Sequence, residues 1–363
     1  MAFSLSFALP SWRSINGAAS SLAALIQALF SNGEKGGIWP LDPKYMMKTA
    51  DGAQPAIGDK ILYWLDAKDG ATDNLGADAV SNGTFASDTA WTKGTGWTIT
   101  GGQAVHAGAS GDLTQAALTV GTFYKITFVA QADASFTVAA GTATATLASS
   151  VSATARTVYL PCLGNTTLKF TMTSGGTLDN VVAQPVPGNH LWQTDTAKQF
   201  VYSARYNLLN ATATLATQSV TTAATSYTLS FSGTGSVALS GTATATYSAG
   251  SQTFTPTAGT LTLTVTGSVT NADLRPTADL VGQPAYQRVT SSTDYDTVGF
   301  YPYALASSAG MQSFTTIDLS SSDELTMFVG TTKNSDATDQ VIAEFSADAT
   351  TNNGTFYVGV VAV

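Results

Sequence analysis

Apolar and polar residues alternate along most of this chain, and the period of the alternation changes near its start. Phe3, Leu5, Phe7 and Leu9 occupy every second position of the opening stretch. A period of two is typical of a strand with one buried face, so we predict a short strand that ends at Pro10.

A helical period follows the opening strand. Apolar residues recur three and four positions apart on one face, with Ser14 as a candidate N-cap and Gly33 beyond the last turn. One strand and one helix cannot bury themselves, so we predict that residues 1–48 anchor the chain to another surface. The alternative is that the helix packs on the downstream domains of the same chain. The apolar face consists of Ile15, Ala18, Ala19, Leu22, Leu25, Ile26 and Leu29.

From residue 74 onward the chain consists of short alternating runs rich in Thr, Val, Phe and Tyr, separated by Gly, Asn and Ser clusters. Such runs predict antiparallel strands that each turn one face inward, as in β-sandwiches. We therefore predict a mainly all-β fold of tandem jelly-roll sandwiches, preceded by the N-terminal strand and helix. Examples of these runs are 122–131, 134–141, 145–151 and 166–173.

An internal repeat divides this part of the chain. Residues 124–146 share an ordered series of short motifs with residues 227–246, and 166–185 resemble 259–276. Both copies end in an apolar strand, a turn and a last strand that closes with proline, which predicts two homologous sandwiches. The predicted boundaries are 1–48 for the anchoring segment, 49–73 for a linker, 74–187 for the first sandwich, 188–205 for a second linker, 206–284 for the second sandwich and 285–363 for a partial lectin-like sandwich.

The composition of the chain excludes several kinds of partner and location, among them a nucleic-acid partner. Charged residues make up only 11% of the 363 residues, and the net charge is −9, which excludes a basic stripe for nucleic acid. Cys162 is the single cysteine, so no intrachain disulfide forms. We predict no secretion signal, because Arg13 follows the short apolar start instead of preceding it and no small-residue cleavage site follows an apolar core. We predict no membrane insertion, because no run approaches 18 consecutive apolar residues. A hydroxyl-rich, weakly charged surface suits a crowded assembly.

Several motifs carry a resemblance to a known class of proteins. The stretch Asn82–Phe85, Trp91, the segment Gly96–Gly102 and Leu178–Val181 resemble the carbohydrate-binding-module-like jelly rolls found in structural proteins of tailed bacteriophages. Residues 285–363 resemble the first strands of a concanavalin-like or laminin-G-like sandwich. About half of such a sandwich is present, so we expect either a fragment or strands supplied by a neighbouring chain.

The resemblance implies a non-enzymatic virion component, made in the host cytoplasm: a head spike, collar fibre or tail fibre. Its expected partners are other virion proteins of the capsid, portal, collar or tail, and host-surface polysaccharide. We expect a homotrimer. The alternatives are a decoration, cement or tail protein that binds no sugar, a glycan-degrading tail spike, which would need a pair of carboxylates, and a bacterial surface adhesin.

Two tryptophans are the candidate glycan-binding residues. Aromatic rings stack on sugars while amide and hydroxyl groups bind the ring hydroxyls, which favours Trp91 and Trp97 flanked by Asn82 and Thr95. The alternative is that both rings belong to the core.

A metal site is the second candidate that the resemblance suggests. It implies a structural calcium ion with Asp179 as a ligand, but Thr84 stands where an aspartate is common, so we predict no cofactor. His106 and His190 lie a whole module apart, and no catalytic motif is present.

Overall fold

The computed structural model describes residues 2–3, 22–31, 34–305, 310–314, 340–345 and 356–360. These residues form antiparallel sheets, a single described α-helix (Leu22–Leu29) and three short 3-10 helices. The predicted mainly-β fold with tandem sandwiches is confirmed. The 3-10 helices are Pro43–Tyr45, Ala71–Asp73 and Thr277–Leu280.

The predicted N-terminal helix corresponds in part to the helix Leu22–Leu29. Ile15 and the side chains of Leu22 and Leu25 lie outside the described residues. Ile26 is half-buried and Leu29 is exposed. The described side chains of this helix therefore show no buried apolar face.

The first module, residues 74–187, contains two five-stranded antiparallel sheets. In spatial order, one sheet contains Ala143–Leu147, Phe136–Ala140, Thr167–Met172, Gly111–Ala116 and Thr92–Lys93. The other contains Ser150–Pro161, Phe123–Ala132, Gly175–Val186, Gln103–Ala107 and Trp97–Thr100. Alternation along Phe123–Ala132 buries Tyr124, Ile126 and Phe128 in the shared core, as a period of two requires.

The second module, residues 206–284, is built around one long bent strand, Tyr227–Gly241. Its first half pairs with Thr270–Pro276 and its second half with Gly259–Thr266, so the strand serves both layers of the sandwich. Gly233 lies at the bend with a φ of +112°, and a Cβ there would be 2.2 Å from the Ser268 carbonyl oxygen. Glycine is therefore required. The remaining strands are Gln218–Thr222 and Ala245–Phe254.

Matching registers show that the repeat is structural as well as sequential. Tyr124 pairs with Pro185 in the first module, and Tyr227 pairs with Pro276 in the second. The Tyr124 hydroxyl accepts a hydrogen bond from the Thr119 amide at 3.0 Å. Both modules therefore have a tyrosine at or next to the start of the central strand, and that tyrosine pairs with a proline at or next to the end of the last strand.

The hydroxyl of Tyr227 repeats this bond, because it accepts from the Ala223 amide at 3.1 Å. Asn180 and Asn271 occupy the same place in the last strand of each module, with φ values of 51° and 50°. Asparagine tolerates this left-handed conformation better than most residues. The two sandwiches thus share their backbone irregularities as well as their strand order.

A third structural unit, which we call the hub, joins segments that are distant in sequence. Its sheet contains seven described strands, and Trp39, Trp64 and Phe200 pack in its core. The first module leaves the hub after Trp64 and returns at Leu191. In spatial order the hub strands are Met46–Met47, Tyr63–Trp64, Leu191–Trp192, Met311–Ser313, Ala2–Phe3, Gln340–Phe345 and Phe356–Val360.

The second module is inserted into the hub region in the same way. Val201–Ser203 precedes it and pairs with Tyr303–Leu305 after it, and Val289–Ser291 pairs with Asp294–Tyr295 in the returning loop. The predicted linkers 49–73 and 188–205 thus contribute strands to sheets. The C-terminal strands pair with residues of the same chain, so a neighbouring chain is not their sole source of pairing. The module boundaries stay predictions.

Candidate functional site

Trp97 does not present its ring to solvent. Its side chain is 5% exposed, its indole Nε1 donates to the Gly111 carbonyl at 3.1 Å, and its ring centroid lies 4.8 Å from that of His106. A stacking platform requires an open ring face. Trp97 is therefore a core residue, as the alternative interpretation of its ring expects, and its role in glycan binding stays a prediction.

Trp91 is also a core residue, 7% exposed, with its ring 5.3 Å from that of Phe85. Its Nε1 donates to the Asn82 carbonyl at 3.1 Å. The Asn82 side chain in turn holds the local loop by donating to two backbone carbonyls. Of the four predicted glycan-binding residues, Trp91 and Trp97 are buried and Asn82 is half-buried. Thr95 is exposed.

The carboxylate that the resemblance implies as a calcium ligand makes a local hydrogen bond. Asp179 Oδ1 accepts from the amide of Asn180 at 2.7 Å. Among the described residues, no group of three or more His, Cys, Asp or Glu side chains could hold a metal ion. No described helix is long and apolar enough to cross a membrane.

The histidine at the base of the first module is part of a buried polar cluster. His190 Nδ1 accepts from the Asp66 amide at 3.0 Å, so its Nε2 donates to the Val186 carbonyl at 3.1 Å. Burial lowers the pKa of His190 to about 4. Asp66 accepts backbone amides from Ile38 and Asn189, and burial raises its pKa. The cluster joins the first module to the hub through buried hydrogen bonds.

An exposed apolar surface lies instead where the second module meets the hub region. Val281, Val298 and Tyr301 are 82%, 81% and 42% exposed, and they belong to two loops that contact each other. A Cβ at Gly299 would lie 3.1 Å from Cγ of Pro284. We call Asp279, Val281, Val298 and Tyr301 the corner surface.

A glutamine ties the two loops together. Gln283 Oε1 accepts from the Tyr301 amide at 3.0 Å, and its Nε2 donates to the Tyr206 hydroxyl at 3.1 Å. The Tyr206 hydroxyl donates to the Tyr301 carbonyl. The exposed Tyr301 ring is therefore carried on backbone that is fixed from two sides.

Aromatic rings and a buried cation form the floor of the corner surface. The Tyr206 and Phe300 ring centroids are 5.6 Å apart, and the Arg275 guanidinium lies 5.3 Å from the Phe300 centroid. Arg275 is fully buried and forms a bidentate ion pair with Asp273. Burial raises the pKa of Asp273. This floor is rigid because each polar group in it is bonded.

Asp279 differs from these bonded groups. Its half-buried carboxylate makes no hydrogen bond or ion pair within the described part of the chain. Burial raises its pKa, and the nearby Arg275 cation opposes that rise. Its charge also contributes to the raised pKa of Tyr206, after burial and Tyr303. An acceptor with free lone pairs thus lies beside the aromatic floor.

Sequence reasoning missed the corner surface. Its residues lie within 279–301, but the aromatic floor beneath them also needs Tyr206 at the start of the second module, 95 positions before Tyr301. One signal was available: tyrosine is dense after the second module, with Tyr286, Tyr295, Tyr301 and Tyr303 inside 18 residues, from 286 to 303.

Comparisons with known proteins add little. No family model matches the chain, and no curated protein matches it. Among solved structures, the N-terminal CBM22-1–CBM22-2 tandem domain of Xyn10C from Paenibacillus barcinonensis is similar over 67% of this chain and 99% of that chain, with 10% identity and a TM-score of 0.25. A likeness this distant carries no argument about function.

Proposed function

We propose that this chain is a structural component of a tailed-bacteriophage particle that displays its β-sandwiches on a hub and binds host-surface glycans. The hub arrangement supports display. Segments before, between and after the two modules pair with one another, so each sandwich is attached to the hub region at both of its ends. A module held at two points presents its surface in a fixed direction.

Glycan binding is assigned to the corner surface. A pyranose has an apolar face that stacks on an aromatic ring and hydroxyl groups that need acceptors. Tyr301 offers an open ring, and Asp279 offers an unbonded carboxylate. The observation that carries the proposal is that both residues adjoin Tyr206. The Tyr206 hydroxyl donates to the Tyr301 carbonyl, and the pKa of Tyr206 is raised by burial, by Tyr303 and by the charge of Asp279.

Weak binding at one corner surface gains strength from repetition. A single shallow sugar site gives low affinity, and many linked copies raise the effective affinity without new contacts. We therefore propose that the chain acts as a homo-oligomer, with a trimer as the expected form, and that residues 1–48 attach it to capsid, collar or tail proteins. No enzymatic role is proposed.

Retention on immobilised host-surface polysaccharide tests the glycan site. Tyr301→Ala and Asp279→Asn should each weaken retention roughly tenfold, which corresponds to about 1.4 kcal/mol. Tyr301→Trp should keep or improve retention, because it keeps an open ring. Val120→Ala, at an exposed apolar residue of the first module, is the control. Equal retention by all four variants would remove the corner surface as the sugar site.

Electron cryo-microscopy of the assembled particle tests the display role. The expected density places the N-terminal segment in a socket of another virion protein and the corner surface facing outward. Corner surfaces closed against neighbouring subunits would instead support the second candidate, a cement protein. That candidate is favoured by one observation, the scarcity of charge in the second module.

A further inference from the structure

The second module has an unusual charge distribution. None of residues 206–272 is Asp, Glu, Lys or Arg. The charges that follow are the buried pair Asp273 and Arg275, and Asp279 at the corner surface. Soluble domains are typically about 25% charged. The strands of this module therefore carry no charged side chain on their outer surface up to residue 272.

The same module has an open sheet edge. Ala245–Phe254 pairs with Tyr227–Gly241 along one side, and its backbone makes no hydrogen bond on the other side within the described residues. Ser248, Ala249 and Ser251 are exposed. Natural edge strands are commonly blunted by lysine, proline or inward charge. This ten-residue strand contains none of these, although its register shifts between Ser248 and Gly250.

The equivalent edge of the first module is divided between Ala143–Leu147 and Ser150–Pro161. The longer of these two strands, Ser150–Pro161, is protected, because it carries Arg156 and ends in proline. Two copies of that strand would bring like charges together, which disfavours self-pairing. The contrast between two homologous edges singles out the edge of the second module.

We propose that Ala245–Phe254 pairs antiparallel with the same strand of a second copy about a two-fold axis. An unpaired strand edge is satisfied by another strand, because its amides and carbonyls lie in a row. A second copy is the favoured occupant because identical uncharged strands meet without repulsion, whereas the remaining surface belongs to a chain of net charge −9. Full overlap places Thr246 opposite Thr253 of the second copy, and paired threonines stabilise neighbouring strands.

This contact is independent of the proposed glycan site and of a trimer contact elsewhere. In sedimentation velocity, the full-length chain should form a dimer through this contact alone, or a hexamer if the contact joins two of the proposed trimers. Thr246→Lys combined with Thr253→Lys should halve the mass by placing like charges face to face. Thr146→Lys, at the matching position of the repeat in the first module, should leave the mass unchanged.

A charge-swap experiment guards against misfolded variants. Mixing the double-lysine chain with a chain carrying Thr246→Glu and Thr253→Glu should restore the wild-type mass as a mixed complex. In the wild type, amide exchange of residues 245–254 should slow as concentration rises. The proposal would be overturned if the wild type is a monomer, or if it is a trimer whose mass the two lysine substitutions leave unchanged. It would also be overturned if amide exchange of residues 245–254 does not depend on concentration.

Discussion

The two sandwich modules share a backbone plan and differ in charge. Both place a tyrosine opposite the last proline, and both use an asparagine with positive φ in the last strand. The first module also carries surface ion pairs, such as Lys93 with Asp88, while residues 206–272 of the second carry no charge. The two modules therefore share this fold through the alternation of apolar residues and a few residues with a special backbone conformation. The number of charged surface residues differs between them without changing the fold.

The last strands show where the modules diverge inside. Val182 and Gln184 of the first module occupy the places of Asp273 and Arg275 in the second, as the shared register shows. The second module buries an ion pair where the first uses an apolar residue and an amide. Arg275 of that ion pair contacts the Phe300 ring and donates to the Pro284 carbonyl. The buried ion pair therefore occurs in the module that carries the proposed glycan site.

The largest expected effect concerns the core of the first module. Trp97→Ala should destabilise it by about 3–5 kcal/mol, because it removes a large buried ring. Hydrogen exchange should speed up in residues 97–186 and stay unchanged in residues 218–276. A stable variant with lost glycan retention would restore Trp97 as a platform and break the assignment of binding to the second module.

The buried ion pair of the second module gives an effect of similar size. Asp273→Ala should cost about 3–5 kcal/mol, because it leaves Arg275 buried without a counter-charge. Asp273→Val with Arg275→Gln, which copies the first module, should lose less than the single variant. Denaturant unfolding compares the three chains. A double variant that is less stable than Asp273→Ala would show that the modules do not tolerate exchange of these residues.

The pH dependence of stability distinguishes the hub from the modules. The pKa of His190 is about 4 in the folded chain and about 6.5 when unfolded. The unfolded state therefore binds the extra proton first, and stability falls as pH drops from 6.5 to 4, by at most about 3 kcal/mol. His190→Gln should flatten thermal stability across this window. An unchanged slope would mean that His190 is not the group responsible.

The smallest expected effect tests the equivalence of the two tyrosines directly. Tyr124→Phe and Tyr227→Phe each remove one hydroxyl that accepts a backbone amide, which should cost about 1 kcal/mol. Exchange at the amides of Thr119 and Ala223 should rise in step with that loss. Strongly unequal losses of unfolding free energy would indicate that the two hydrogen bonds contribute differently to stability despite their matching geometry.

The sequence by itself determined the strands and the repeat, because both depend on local patterns. Alternation in residues 122–131 predicted the strand Phe123–Ala132, and the repeated motifs predicted two sandwiches with the same order. The hub was not predictable in this way. Its strands are two or three residues long where they meet between modules, too short to show a period.

Tertiary structure alone decided which aromatic rings face solvent. The sequence around Trp91 and Trp97 did not determine whether their side chains face the core or the solvent. In the folded module Trp91 packs against Phe85 and Trp97 against His106, so both rings face the core. The corner surface depends on Tyr206 at the start of the second module and on the segment from Gln283 to Tyr301 at and after its end, which meet only in the folded chain. Pairing between distant segments is set by the global topology and leaves no trace in the local pattern of residues.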